Sequence, residues 1–427
     1  MRVLLLGSGG RESALAVSLA ASPSVSELVA APGNPGIARV AEIVPGTDIM
    51  APAAVRDLAA RVGAELVVVG PEAPLVEGVA DELRADGRAV FGPDAAAARI
   101  EGSKSYAKQL MAAAGVPTAR FGTFERVDEA VAYLDELGPP YVIKADGLAA
   151  GKGVVVTDDR AGAIEALEGC LVEGRFGAAG TRVVIEEFLD GPEASVIAFS
   201  DGKTVLSCEP AQDYKRALDD DLGPNTGGMG SYSPVPACPP ATLRDITEEI
   251  LEPMIAATAE AGAPFCGALY AGLALTPEGP RVIEFNARFG DPETQALLPR
   301  LRSDLGELCM ASARGELAGM TVDWSPEACV TVVAASGGYP GDHDTGFEIE
   351  GIDDAEALGA FVFHAGTAIS DDRLVTAGGR VLAVSALGQD FATARSLAYD
   401  AISKIGFTNM HVRSDIGARA VTAEGGN

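Results

Sequence analysis

The stretch VIEFNARFGDPET, residues 282 to 294, sets an acid, an amide and a cation at alternate positions: Glu284, Asn286 and Arg288. If it forms a strand, residues two apart share one face, and Phe285 and Ala287 turn to the other. A carboxylate and an amide oxygen are hard ligands for magnesium, with phosphate oxygens completing the shell. Arg288 alongside is a two-pronged donor for a carboxylate or phosphate. The bland alternative is a surface ion pair between Glu284 and Arg288. The intervening Asn286 and the Gly-Asp-Pro-Glu turn that follows weigh against it.

Three glycine-rich segments carry further chemistry. Gly7-Ser8-Gly9-Gly10-Arg11-Glu12 follows an apolar run. It is an incomplete dinucleotide fingerprint: Glu12 holds the third glycine position, and the second strand ends in Pro32-Gly33-Asn34 without an acid for a ribose. Loop N–H groups at a helix start suit a phosphate or sugar phosphate better than a nicotinamide cofactor; a tight turn without a ligand is the structural alternative. The run from Lys144 through Asp146, Gly147, Gly151 and Lys152 to Gly153 departs from a P-loop in spacing and in lacking Ser/Thr after the lysine. Flanked by strands, it reads as a flap that closes over a triphosphate. The third is Gln212-Asp213-Tyr214-Lys215-Arg216 followed by GPNTGGMG, residues 223 to 230. So much glycine beside an acid and two cations is entropically expensive, and such loops are disproportionately functional. Between these lies VVIEEFL, residues 183 to 189, then Asp190, Gly191 and Glu193. A strand ending in acids offers main-chain groups to an adenine edge and carboxylates to a ribose; an ordinary strand end has the same look.

Composition narrows the classes. The net charge of −29 opposes non-specific binding to nucleic acid or an anionic membrane. Arginine outnumbers lysine 25 to 7, yet Lys104, Lys144, Lys152 and Lys215 all fall in these motifs. Lysine is a compact point charge suited to phosphate. The six cysteines contain no CxxC pair, and the three histidines match no metal or triad spacing. No apolar run approaches the ~20 residues needed to span a bilayer. The N-terminus reads as a strand and turn, not a leader, so the cytoplasm is the expected compartment.

The elements that must position these residues follow from periodicity. Apolar runs at Val3–Leu6, Leu28–Ala31, Leu66–Val69 and Ala89–Phe91 alternate with helical segments Glu12–Ala21 and Ala53–Val62, predicting a parallel sheet with crossover helices. Ligands in such sheets bind beyond the strands' carboxyl ends. A second unit, near Glu101, holds helices at Tyr106–Ala114, Val127–Leu137 and Ala161–Leu171 and strands at Tyr141–Lys144, Val154–Val156 and Val183–Phe188. A long helix is predicted over Ala241–Ala261. Strands at Cys329–Ala335, Val362–Ala365 and Arg380–Ala386 and a helix at Phe391–Ile405 read as a separate C-terminal domain.

Taken in order, GxGGRE, APGN, VGPEAPLV, EGSK, IKADGLAAGKGV, VIEEFLDG, QDxKR, GPNTGGMG, EFNxRFGDPET, GGYPG and FHAGT resemble the ATP-grasp superfamily. Within it they resemble the phosphoribosylamine–glycine ligase (glycinamide ribonucleotide synthetase) family over nearly the whole chain. The resemblance implies an α/β and α+β protein: a Rossmann-like substrate-binding domain (1–103), a two-lobed ATP-grasp core (104–325, lid lobe about 122–190) and a small C-terminal α/β domain (328–427). It implies ATP-dependent ligation of glycine to 5-phosphoribosylamine through glycyl phosphate, a step of purine biosynthesis, with Mg2+ or Mn2+, by a monomer. Lys104, Lys144, Gly151, Lys152, Gly153, Glu186, Phe188, Leu189 and Glu193 would border ATP, and Glu284 and Asn286 would hold the metal. Gly9, Gly10, Asn34, Pro71 and Glu72 would line the sugar-phosphate pocket. Asp213, Lys215, Asn225, Thr226, Gly228, Met229 and Arg288 would surround glycine and the amine, with Lys144, Asp213, Lys215 and Arg288 acting in catalysis. Ser13 and Tyr214 stand where the family usually, or often, has histidine. A ligase for another acid and amine, and a silent nucleotide-binding sensor, are the rival readings.

Overall fold

Strands β1 (Arg2–Gly7), β2 (Glu27–Pro32), β3 (Glu42–Ile43), β4 (Leu66–Val69) and β5 (Ala89–Phe91) form a sheet in the order β3-β2-β1-β4-β5. Every pairing is parallel. Val3, Leu4, Leu5 and Leu6 have no exposed surface, as a sheet covered by helices on both faces requires. The strand order reverses beside β1, which places the turns after β1 and β4 at one crevice. Helices α1 (Gly10–Ala21) and α2 (Glu72–Val76) start there. In this computed structural model the described residues are 1–148 and 153–425, so Gly151 and Lys152 of the expected flap lie outside them.

Helices α3 (Ala95–Gly102) and α4 (Lys104–Ala114) lead from this sheet into the next unit. Ser103 caps α4 by accepting the Tyr106 amide. Strands β6 (Phe121–Phe124), β7 (Tyr141–Ala145), β8 (Val154–Thr157) and β9 (Val183–Glu187) make an antiparallel sheet in the order β6-β9-β7-β8. Its helices occupy Val127–Leu137 and Arg160–Leu171, matching the predicted segments to within a residue. Ala130, Leu134, Ile143, Leu167 and Ile185 give this lid a hydrophobic cluster of its own.

The larger lobe is built on β10 (Glu193–Asp201), β11 (Val205–Ser207), β16 (Cys266–Thr276) and β17 (Gly279–Asn286), ordered β11-β10-β16-β17. The β16–β17 register slips between Gly272, opposite Glu284, and Leu273, opposite Val282. Ile283 is thus the extra residue of a bulge, a device that bends a strand and re-aims its side chains.

The helix predicted over Ala241–Ala261 is interrupted. It runs α-helical at Pro240–Ile246, widens to a π segment at Thr247–Leu251 and resumes at Glu252–Glu260. Pro253 is the cause: it has no N–H to continue the α ladder, and its ring crowds the preceding turn.

Strands β12 (Gln212–Asp213), β13 (Arg216–Leu218), β14 (Leu222–Asn225) and β15 (Gly230–Ser233) precede that helix. The last hundred residues add β18 (Ala328–Ala335), β19 (Phe361–His364), β20 (Thr367–Ser370), β21 (Arg373–Thr376) and β22 (Arg380–Gly388), with a helix at Phe391–Ile402. These strands share a sheet with the earlier ones, ordered β12-β15-β18-β22-β19. The sheet therefore crosses the chain position where the sequence pattern places the start of a separate C-terminal domain. Strands β13–β14 and β20–β21 are two-stranded ribbons.

His364, at the end of β19, seals the seam between this sheet and the N-terminal unit. Its N–H donates to Ser13 Oγ at 3.1 Å, and its carbonyl accepts from Asn34 Nδ2 at 2.9 Å. Burial, with help from Arg39, pushes its imidazole down to about 4, against an opposing pull from Glu356. A depressed imidazole contributes stability that is present above the unfolded value, about 6.5, and is lost as pH falls through about 4. We expect this group to account for about 3 kcal/mol of acid destabilisation. Melting temperatures from pH 7 to 4 should fall less steeply in His364→Gln than in the unaltered protein.

Candidate functional site

A cleft of about 1010 Å3 opens where the lid, the larger lobe and the N-terminal unit meet. The lid supplies Lys144 from β7 and Glu186 from the end of β9. Lys144 is buried; its Nζ donates to the Ile283 carbonyl at 3.0 Å and pairs with Glu186 at 2.9 Å. The bulge is what presents that carbonyl. Lys104 opens α4 and donates to the Gly147 carbonyl at 2.9 Å, tying the helix to the base of the glycine loop. Asp146 fixes the same junction, accepting from Ser103 Oγ at 3.0 Å and from Ser105 Oγ at 2.6 Å. Burial depresses Lys104, aided by Lys144, while Glu284, Asp146 and Glu101 oppose.

Leu148, Val156, Phe188 and Leu189 line the lid side. Phe188 is 45% exposed and Val156 equally so. An apolar slot with a few convergent polar groups is what a planar base needs. Gly153 also lines the cleft.

Glu284 and Asn286 line the cleft with Phe285 buried between them. Among the described residues, neither side chain has a hydrogen-bond or ion-pair partner. Burial works against the Glu284 charge, but Lys215, Lys144 and Lys104 outweigh it and hold the carboxyl below the usual carboxylate range. Glu284 is therefore an anion with free oxygens. No group of three or more His, Cys, Asp or Glu among the described residues could hold a metal ion. Two oxygen donors alone do not complete a magnesium shell, whereas two donors beside a triphosphate do. The residues fit a divalent cation that arrives with a nucleotide.

Arg288 lies past the strand's end and does not pair with Glu284. Its Nε donates to Glu72 at 3.2 Å and its Nη2 meets Glu101 at 3.0 Å. Glu101 also accepts the Ala287 amide at 2.7 Å. Burial raises Glu101 in spite of Arg288. Burial also opposes the Glu72 charge, yet Arg288 and Arg11 keep it lowered. Arg288 is thus a bridge between the N-terminal unit and β17, with its fork already engaged by two acids.

At the other end, Asp213 is the last residue of β12, and Lys215 pairs with Glu193. Burial pushes Asp213 well above the carboxylate range, reinforced by Glu293 and Glu193 and resisted by Lys215. Burial works against the Lys215 charge, but Asp213, Glu193 and Glu284 overcome it. Asn225 and Thr226 line this end. Thr226 donates from both its amide (2.7 Å) and Oγ1 (2.9 Å) to the Lys215 carbonyl. Met229 is fully buried core, and Gly228, at φ +109°, backs onto Pro292, where a Cβ would meet the ring at 2.4 Å.

The expected sugar-phosphate residues separate. Glu72 lines the cleft; Gly9, Gly10, Asn34 and Pro71 do not. The Gly9 amide is taken by Glu12 Oε2 at 2.7 Å, and a Cβ on Gly10 would meet Gln295 at 2.7 Å. Asn34 spends its amide on Ser8, His364 and Ile37. Ser13 accepts the His364 N–H, and the Tyr214 ring is flanked by Arg413 and Arg419, each 4.9 Å from its centroid.

Several participants escaped the sequence reading. Lys108 lines the cleft, one helical turn after Lys104; that spacing was the available signal. Glu293 is buried and accepts from Tyr270 Oη at 2.9 Å. Arg380, on β22, donates to the carbonyls of Gly227 (2.6 Å) and Asp291 (2.9 Å) and pairs with the Asp291 carboxylate. Tyr339 accepts the Gly227 amide at 2.9 Å. Tyr339 falls in the GGYPG segment, residues 337–341, but no local pattern ties it or Arg380 to this cleft, because their partners are far away in the chain.

Comparison with known proteins agrees along the whole length. Family models described as phosphoribosylglycinamide synthetase match as the N domain over residues 1–101, the ATP-grasp (A) domain over 102–294 and the C domain over 329–419. A phosphoribosylamine–glycine ligase of Streptomyces coelicolor is 53% identical over 99% of this chain and 100% of its own. One from Mesorhizobium japonicum is 52% identical over 99% of each. The crystal structure of phosphoribosylamine–glycine ligase from Thermotoga maritima superposes with a TM-score of 0.83 at 34% identity, covering 97% of this chain and 100% of that one. A biotin carboxylase domain from Hydrogenobacter thermophilus, at 17% identity and a TM-score of 0.72 over 96% and 91% of the two chains, shares the fold. Three domain models in chain order and end-to-end relatives of this similarity establish that the chain belongs to the phosphoribosylglycinamide synthetase family.

Proposed function

We propose that this chain joins glycine to 5-phosphoribosylamine at the expense of ATP, a C–N bond-forming step of purine biosynthesis. The observation that carries the reading is the Glu284–Asn286 pair, unpartnered among the described residues and lining one cleft with Lys104, Lys144 and Lys215. A glycine carboxylate oxygen attacks the γ-phosphorus, the bond to ADP breaks, and glycyl phosphate forms. The amine nitrogen of phosphoribosylamine then attacks the acyl carbon, the C–O bond to phosphate breaks, and the nitrogen sheds a proton.

The chain's part is positioning and charge placement. Lys104 and Lys144 hold phosphate oxygens, and the slot at Leu148, Val156, Phe188 and Leu189 takes the base. Asp213 and Glu193 sit where an ammonium would be received, and Lys215 lies between them and Glu284. Arg288, Glu72 and Glu101 border the side nearest the N-terminal unit. A divalent cation, Mg2+ or Mn2+, held by Glu284 and Asn286 would neutralise phosphate charge. A monomer is the working unit that the family resemblance implies. No described helix is long and apolar enough to cross a membrane; together with the metabolic role, this supports the cytoplasm.

ADP release should require magnesium, glycine and freshly generated phosphoribosylamine together. Release that needs a different acid–amine pair would overturn the reading. Glu284→Ala should lower turnover by at least about 100-fold with the fold retained and the melting temperature modestly lowered, since three lysines lose the carboxylate they face. The raised Asp213 carboxyl predicts a second result. Its anion is lost as pH falls through about 7, over the interval from about pH 8 to 6, well above the ordinary carboxylate value. The KM for glycine should therefore climb on acidification across that interval, and Asp213→Asn should flatten the climb.

A further inference from the structure

A closed ring of polar contacts stands behind the phosphate-side lysine. Lys108 is only 2% exposed. Its Nζ donates to Thr118 Oγ1 at 2.7 Å and pairs with Glu186 Oε2 at 2.8 Å. Thr118 passes its own proton to the Val282 carbonyl at 2.6 Å. Glu186 Oε1 pairs with Lys144 at 2.9 Å, and Lys144 ends on the Ile283 carbonyl at 3.0 Å. Val282 and Ile283 are consecutive at the β17 bulge, so the ring closes there. It joins α4, the lid strands β7 and β9, and the larger lobe.

Stability does not account for Lys108. A buried ammonium is costly, and an apolar side chain of similar length usually does as well or better in such a place. The arithmetic of charge does account for it. Two ammonium groups share one carboxylate, so the ring keeps one net positive charge. Without Lys108, Glu186 would neutralise Lys144 completely and draw it away from the cleft.

We propose that Lys108 is a positioning residue for ATP: by sharing Glu186 it leaves Lys144 aimed at the phosphates with its charge uncancelled. This rests on the reading that the cleft binds ATP. The charged groups facing Lys108 are Glu186 from β9, Lys144 from β7 and Arg281 from β17. Burial, aided by Lys144 and Arg281 and resisted by Glu186, brings its ammonium down to about 8. Deprotonation on alkalinisation should mimic loss of the side chain.

The test measures the Kd of a non-hydrolysable ATP analogue with magnesium, and the KM for ATP and for glycine, at pH 7 and pH 9. Lys108→Met should raise the analogue Kd and the ATP KM about tenfold at pH 7. The glycine KM should stay within about twofold. The loss of affinity from pH 7 to 9 should be smaller in this variant than in the unaltered protein. An unchanged Kd, or ATP and glycine constants that rise together, would overturn the proposal. If Lys108→Met does not fold, Thr118→Val removes one link of the ring. It should raise the Kd about threefold, and no rise there overturns the proposal equally. An unaltered protein that binds no nucleotide refutes the ATP reading itself, a result distinct from either.

Discussion

An ionised carboxylate held in a half-closed cleft by three lysines is the constraint around which the rest is arranged. Glu284 is kept charged against burial by Lys215, Lys144 and Lys104. Each lysine arrives on a different element: the edge of the C-terminal sheet, the lid, and the helix entering the core. Moving any of them would change the charge balance at Glu284.

The same economy governs the N-terminal seam. Arg288 spans from β17 to Glu72 and Glu101, so the crevice of the parallel sheet and the nucleotide cleft share a wall. Buried ion pairs of this kind contribute little net stability, and breaking one is destabilising. Their use is registry: they fix how the N-terminal unit sits against the larger lobe.

Much of this was legible in the sequence. The alternation of apolar runs gave the parallel sheet, and the period-two reading put Glu284 and Asn286 on the cleft side of β17 with Phe285 turned into the core. The same period misplaced Arg288, since the strand ends at Asn286 and the arginine turns to Glu72 and Glu101, far earlier in the chain. The glycine loop after β1 looked like a phosphate cradle, but Glu12, within the motif itself, fills its Gly9 amide. Lys108 had a readable signal in its helical spacing from Lys104. Arg380 had none, and Tyr339 was marked only by the GGYPG motif. Pro253 was visible and should have warned against one unbroken helix over Ala241–Ala261.

The shared sheet β12-β15-β18-β22-β19 has a consequence for the order in which the molecule comes into being. Asp213 stands on its edge strand, and two of its three inner strands, β18 and β22, begin at residue 328 or later. A chain leaving the ribosome has the lid, Lys104, Lys144 and the Glu284–Asn286 pair well before those strands exist. The lid and the larger lobe can take shape early; the pair β12–β15 gains the rest of its sheet only once β18 and β22 have been made.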